Sequence, residues 1–204
     1  MSITWDSDVR QQSISAAGVA TILAGTPLSS YAGTVEALAT KYGIDANWIV
    51  SYLQWENGFG TANSFSLSNN NPWDILCYPE QWGSSGCNDP GNGYSYAVYP
   101  DMAIGLEAGF RLWASYVAMG LTTWGSSLSR AECGQATCPG NWVENVIATG
   151  DSNSVEYPAD SGYTPPVPTL GETPTGVGVL LLLGGAMIAG AAYLEYRGLL
   201  PRRS

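Results

Sequence analysis

The chain has no histidine and one lysine, Lys41, and only 12% of its 204 residues are charged. Without histidine, Ser-His-Asp and Cys-His catalysis and His-based zinc sites are excluded, because the commonest neutral-pH base and the commonest metal ligand are both missing. Acid-base chemistry must then come from carboxylates, tyrosines or Lys41. Bases are scarce and badly placed for phosphate: residues 1–175 hold sixteen acids against four bases, and Arg197, Arg202 and Arg203 crowd the last eight positions. So acidic a body cannot neutralise a nucleic-acid backbone, and no nucleic acid is expected as partner. What the chain has is apolar material. At 45% hydrophobic it can build a core, and its length fits one domain with something to spare.

Cys77, Cys87, Cys133 and Cys138 leave three disulfide pairings open. The local one, 77 with 87 and 133 with 138, is favoured by short loops in Gly/Ser/Pro-rich sequence. The wide spacing of the first pair argues against an all-thiolate zinc site, so no metal or other cofactor is expected. Disulfides place the domain outside the reducing cytosol.

Residues 1–30 read as an ordered arm or short helix. Asp6 and Asp8 against Arg10 give the wrong charge for a secretory leader, and cleavage is not expected. A helix is predicted from Val35 to Tyr42, with Thr34 as N-cap and Gly43 as stop, and a second from Ala46 to about Glu56, capped by Asp45 and stopped by Gly58. Residues 57–95, rich in Gly, Asn, Ser and Pro, form a loop-dominated lobe with short strands at 73–78 and 95–99. Pro100 suits a helix N1 position, and Met102, Leu106, Phe110, Trp113 and Val117 mark a long core helix. A shorter helix is expected near 141–149.

From Asp151 to Thr175, five of the twelve prolines mix with polar residues, an extended linker reaching at most about 75 to 80 Å. Gly176 to Leu194 carries no charge and, at about 1.5 Å per residue, covers roughly 28 Å, enough to cross a hydrocarbon core. A transmembrane helix is expected over 176–196, with lipid as partner. The arginines of the tail 197–204 put the C-terminus on the cytoplasm-like side and the acidic domain outside the cytosol. The fold class expected for the whole is α+β, mainly α.

On the second helix Ile49, Tyr52, Leu53 and Glu56 share one face, so Glu56 ends an apolar stripe at the negative pole of the helix. Burial and the dipole both raise a carboxyl pKa there, which makes a general acid for glycosidic bond cleavage. The alternative, a helix-end glutamate turned to water, stays open on position alone. Tryptophans and tyrosines number twenty, fifteen of them between Tyr31 and Trp142, against three phenylalanines. Rings with a polar edge suit sugar faces, above all those of the loop lobe: Trp73, Tyr78, Trp82, Tyr94 and Tyr96.

Three blocks occur in order: Trp55-Glu56-Asn57-Gly58-Phe59-Gly60-Thr61, then Asn69-Asn70-Asn71-Pro72-Trp73-Asp74-Ile75, then Tyr96-Ala97-Val98-Tyr99-Pro100-Asp101 leading to Gly105. Over about residues 34–120 the chain resembles the bacterial and phage glucosaminidase group of peptidoglycan hydrolases in the lysozyme-like superfamily. The resemblance implies a lysozyme-like domain at 31–150 acting on peptidoglycan, with Glu56 as catalytic acid, Asn71 and Trp73 shaping the floor of the glycan cleft, and Tyr99 lining the reacting centre. Asp74 stands where that group has Gly or Asn, and no motif places a second carboxylate. Asp74, Glu80 and Asp89 are the candidates for it. An inverting hydrolase would need one roughly 6.5 to 9.5 Å from the acid and a retaining one a nucleophile about 5 Å away. A lytic transglycosylase-like route needs Glu56 alone.

The substrate-binding set is thus Asn71, Trp73, Trp82, Tyr96 and Tyr99, with Glu56 and Asp74 as the catalytic candidates. The expected protein is a membrane-anchored glycan-cleaving enzyme, whose setting could be a virion with an internal membrane or a bacterial envelope, beside other proteins of that particle. The rival expectation is an inactive lysozyme-like structural or wall-binding component.

Overall fold

The central helix is made by its ends. Asp45 caps it by accepting a hydrogen bond from the Asn47 amide at 3.0 Å, and Gly58, at φ 59°, stops it in the left-handed conformation that glycine adopts at least cost. In the computed structural model, which describes residues 2–59, 64–77, 82–91, 93–133 and 141–160, this is α3, Ala46–Asn57. Every residue from Ala46 to Leu53 is buried, so α3 is sheathed on all sides for its first two turns and only its end reaches the surface.

Around it lie α1 (Ala16–Leu23), α2 (Ala32–Tyr42), α4 (Ser64–Ser68), α5 (Met102–Ala118), α6 (Trp124–Cys133) and α7 (Asn141–Glu156). Strands β1 (Gly86–Asn88) and β2 (Tyr96–Val98) form one antiparallel ribbon with Cys87 opposite Ala97. The described residues are therefore α+β, mainly α. The Cys77–Cys87 disulfide, with Cα atoms 5.5 Å apart, ties the ribbon to the preceding loop, in the local pairing expected. Residue 138 and the side chain of Cys133 lie outside the described residues, as do Tyr78, Glu80, most of the linker, the 176–196 span and the tail. Among the described residues no helix is long and apolar enough to cross a membrane.

Several boundaries differ from expectation for local reasons. α2 begins at Ala32, not after Thr34, because a 3₁₀ turn at Ser29–Tyr31 feeds directly into it. The cap of α5 is Asp101, whose carboxylate accepts from the Ile104 amide at 2.9 Å; Pro100 precedes the cap rather than opening the helix. Over 73–77, the described part of the expected 73–78 strand, there is a single bridge, Leu76 to Tyr96. α7 runs through Glu156, six residues into the stretch read as linker, because Ser154 is fully buried and Asp151 accepts from Ser2 Oγ and the Ile3 amide.

Residues 2–15 are a strap woven into the core. Ile3, Val9 and Ile14 are buried, and the chain bonds in turn to the α6 start (Trp124 amide to Ser7 carbonyl), the α3 start (Asp45 amide to Val9 carbonyl) and the end of α7 (Ser15 amide to Tyr157 carbonyl). The knot is Asp45, with no exposure, which accepts from Ser13 Oγ at 2.6 Å and the Ser13 amide at 3.1 Å. Asn47 continues it, donating to Ser13 Oγ and to the Gly150 carbonyl of α7.

Complete burial pushes the Asp45 carboxyl up to about 7 despite the hydrogen bonds it accepts, and the neighbouring Glu36 carboxyl adds to the rise. The folded state holds this proton more tightly than the unfolded chain. The associated stability is therefore full below the ordinary aspartate value of 3.8 and is lost as pH rises through about 7. Glu107 acts in the opposite sense: burial alone would raise it, but hydrogen bonds from Lys41, Tyr42 and Arg111 outweigh burial and hold it at about 2, so its contribution is full above 4.5 and is lost only as pH falls from there toward 2. Urea midpoints should accordingly fall between pH 5 and pH 8, and Asp45→Asn should flatten that fall; an unchanged slope in the variant would assign the dependence to another group.

Candidate functional site

Glu56 occupies the last turn of α3, where the sheath opens. It is part-buried, one turn beyond Tyr52, whose ring sits 4.8 Å from Trp113, 5.8 Å from Trp73 and 5.4 Å from Trp142 of α7. The stripe read from sequence is real to this extent: Ile49 and Leu53 are fully buried, Tyr52 nearly so, and Glu56 emerges at its edge. The next residue, Asn57, is buried and donates to the Pro72 carbonyl at 2.7 Å, which fixes the loop lobe to the end of the helix that carries Glu56.

The lobe is docked on α5 through two glycines one turn apart. A Cβ on Gly105 would stand 1.7 Å from the Asn70 carbonyl oxygen, and one on Gly109 would stand 2.0 Å from the Trp73 indole. Only hydrogen at these positions allows the loop backbone and the ring to lie against the helix. Trp73 then donates its Nε1 to the Gly105 carbonyl at 3.0 Å and the Leu106 carbonyl at 3.2 Å, and is 4% exposed. Asn71 is 1% exposed; it donates to the carbonyls of Ile75 and Ala97 and accepts from the Ile75 amide. Both residues hold the lobe from within and present almost no surface to solvent.

Asp74 has φ 51°, the left-handed conformation that Gly and Asn adopt most easily. Its carboxylate accepts from Ser66 Oγ of α4 at 2.6 Å. Asp89 is exposed and accepts from the Gly91 amide at 2.7 Å in a local turn. Glu80 lies outside the described residues. Among the described residues no group of His, Cys, Asp or Glu could hold a metal ion.

Tyr99 is 1% exposed, its amide bonded to the Asn69 carbonyl, and its hydroxyl is buried with no hydrogen-bond partner among the described residues. Burial pushes the phenol up from its ordinary value, so it remains a donor at any working pH. Asn69 is also buried, with its oxygen taken by Asn88 and its amide nitrogen lacking a partner among the described residues. Tyr96 and Trp82 are part-buried, and Trp82 sits at φ 49°. Non-glycine residues with positive φ among the described residues are Phe59, Asn70, Asp74 and Trp82, all in the stretch that follows Glu56.

Sequence reasoning missed Trp55. It is 42% exposed and donates its Nε1 to Thr149 Oγ1 of α7 at 2.8 Å. Its neighbourhood in sequence, immediately before Glu56, was the available signal. No known protein family, curated protein or solved structure was found to match the chain.

The docking groove makes a direct prediction. Gly109→Ala forces a methyl into the Trp73 ring, and overpacking of this kind costs about 1 to 3 kcal/mol. Urea denaturation should show that loss, whereas Gly33→Ala, on α2 with open space at its Cβ, should leave the midpoint unchanged or raised.

Proposed function

We propose that the chain is a membrane-tethered enzyme that cleaves the glycan strand of peptidoglycan, with Glu56 as general acid. One observation carries this reading: a part-buried carboxyl at the open end of an otherwise sheathed helix, clamped through Asn57 to a lobe whose order of motifs resembles glycan-cleaving enzymes. The lysozyme-like assignment of the domain belongs to the same proposal, as do the 176–196 anchor, the position of the domain outside the cytosol and a role in opening the wall from a virion or envelope.

The mechanism favoured is the one that needs a single carboxylate. Asp74 and Asp89 both make local hydrogen bonds that explain them without catalysis, the first to Ser66 and the second to Gly91. Glu56 would protonate the departing glycosidic oxygen and, as carboxylate, accept the proton of the sugar's own hydroxyl as that hydroxyl closes on the anomeric carbon. The sum of the two transfers is bond cleavage with an anhydro end and no water consumed.

A second reading, an inactive wall-binding module, is favoured by the burial of Asn71, Trp73 and Tyr99, which leaves little of the expected contact surface in view. One digest separates the two. Mass spectrometry of wall treated with the full chain should find anhydro-ended fragments. Glu56→Gln should lower the rate by at least about 100-fold, the usual worth of a general acid, with the thermal midpoint retained, and Asp74→Asn should stay within a few-fold of wild type. Retained activity in Glu56→Gln removes the catalytic assignment, and loss in Asp74→Asn with reducing ends restores a two-carboxylate hydrolase.

A further inference from the structure

Three large apolar side chains are exposed among the described residues: Trp55, Met119 and Val155. Trp55 alone of these is aromatic and pinned. Its Nε1, the only polar atom of the indole, is satisfied by Thr149 Oγ1 across 94 residues of sequence, so the ring is held while carbon surface stays in water. An indole merely filling the surface would gain by turning inward, since burying a large side chain is worth about 1.5 to 3 kcal/mol. Here the hydrogen bond to α7 fixes it with part of its surface outward.

Its surroundings fit a ligand that is flat, neutral and rich in C–H. Trp55 directly precedes Glu56, and on α7 Trp142 and Thr149 lie two turns apart on one face, the first in contact with Tyr52 and the second holding Trp55. Two tryptophans thus stand along the α3–α7 seam at the end that carries Glu56. The negative face of an indole attracts polarised C–H groups such as those on one side of a pyranose ring. The scarcity of bases in the domain disfavours phosphate-bearing or strongly anionic occupants.

We infer that Trp55, held by Thr149, is a stacking platform for an N-acetylated hexosamine ring of the strand, a unit away from the bond next to Glu56. This rests on the glycan-cleaving reading and deepens it.

The test uses the full chain in detergent with Glu56→Gln, titrated calorimetrically with chitohexaose, so that binding is read without turnover. Adding Trp55→Ala should weaken binding at least about tenfold, equivalent to about 1.4 kcal/mol. Trp55→Phe, which keeps a smaller ring but loses the bond to Thr149, and Thr149→Val, which frees the indole without removing it, should both fall between. In the active chain Trp55→Ala should raise KM for glycan strands while changing kcat little. Unchanged affinity in Trp55→Ala, or no binding of chitohexaose by the parent, overturns the platform. The two proposals fail separately: a Glu56→Gln chain that still digests wall but loses chitohexaose through Trp55→Ala keeps the platform and ends the catalytic role, and the opposite pattern does the reverse.

Discussion

The Trp73 indole lying on Gly109, with the Asn70 backbone on Gly105 one turn before, is the contact on which the candidate site depends. Short helical and loop segments rich in Asn, Ser and Gly cannot bury enough apolar surface to hold themselves, and the ribbon of three residues per strand is marginal alone. Trp73 supplies what they lack: an apolar plane that reaches Phe110 and Trp113 and a donor that finds two helix carbonyls. Asn71 beside it satisfies loop backbone groups that would otherwise be buried unpaired, each worth about 1 to 3 kcal/mol if orphaned. Packing and polar satisfaction therefore act at adjacent residues, and Asn57 extends the same order to the end of α3.

A second constraint holds the opposite end of α3. Buried Asp45, Ser13, Asn47 and Ser51, with part-buried Asn153, form a polar chain joining the N-terminal strap, α3 and α7. Such a network specifies one arrangement, because any shift of a member leaves a polar atom dry and unpaired. The central helix is thus fixed at its start by hydrogen bonds and at its end by the lobe. Glu56, in the last turn, takes its position from both ends of the helix that carries it.

Legibility in the sequence followed where the controlling information was local. Gly43, Gly58 and Asp45 marked the ends of α2 and α3 because a cap acts through its own backbone and side chain. α6 was missed: its Trp-Gly-Ser-Ser-Leu-Ser run reads as a polar loop, yet Ser127 and Ser129 are buried beside Trp124 and Leu128, with Ser127 donating to the Leu121 carbonyl. The extension of α7 was hidden for the same reason, since Asp151 and Ser154 look like linker until Ser2 and Ile3 arrive from the far end of the chain. Asn71 and Trp73 were recognisable as important but not as buried. The signal that could have placed them was the Gly105 and Gly109 pair on a predicted core helix, which calls for something flat to lie against it.

The same geometry bears on why the lobe is built as it is. Phe59 and Trp82 are bulky residues in left-handed backbone, a conformation that costs about 1 to 3 kcal/mol each and survives only where neighbours over-determine it. Phe59 is held by burial and by its amide on the Leu53 carbonyl, and Trp82 by its packing on the core. A lobe whose sole task was to cover α5 could have relaxed these turns with glycine. Keeping large rings at these two strained positions, 59 and 82, uses docking energy to fix side-chain directions instead. It leaves the part-buried Glu56 at the boundary between the rigid helix and the strained loops.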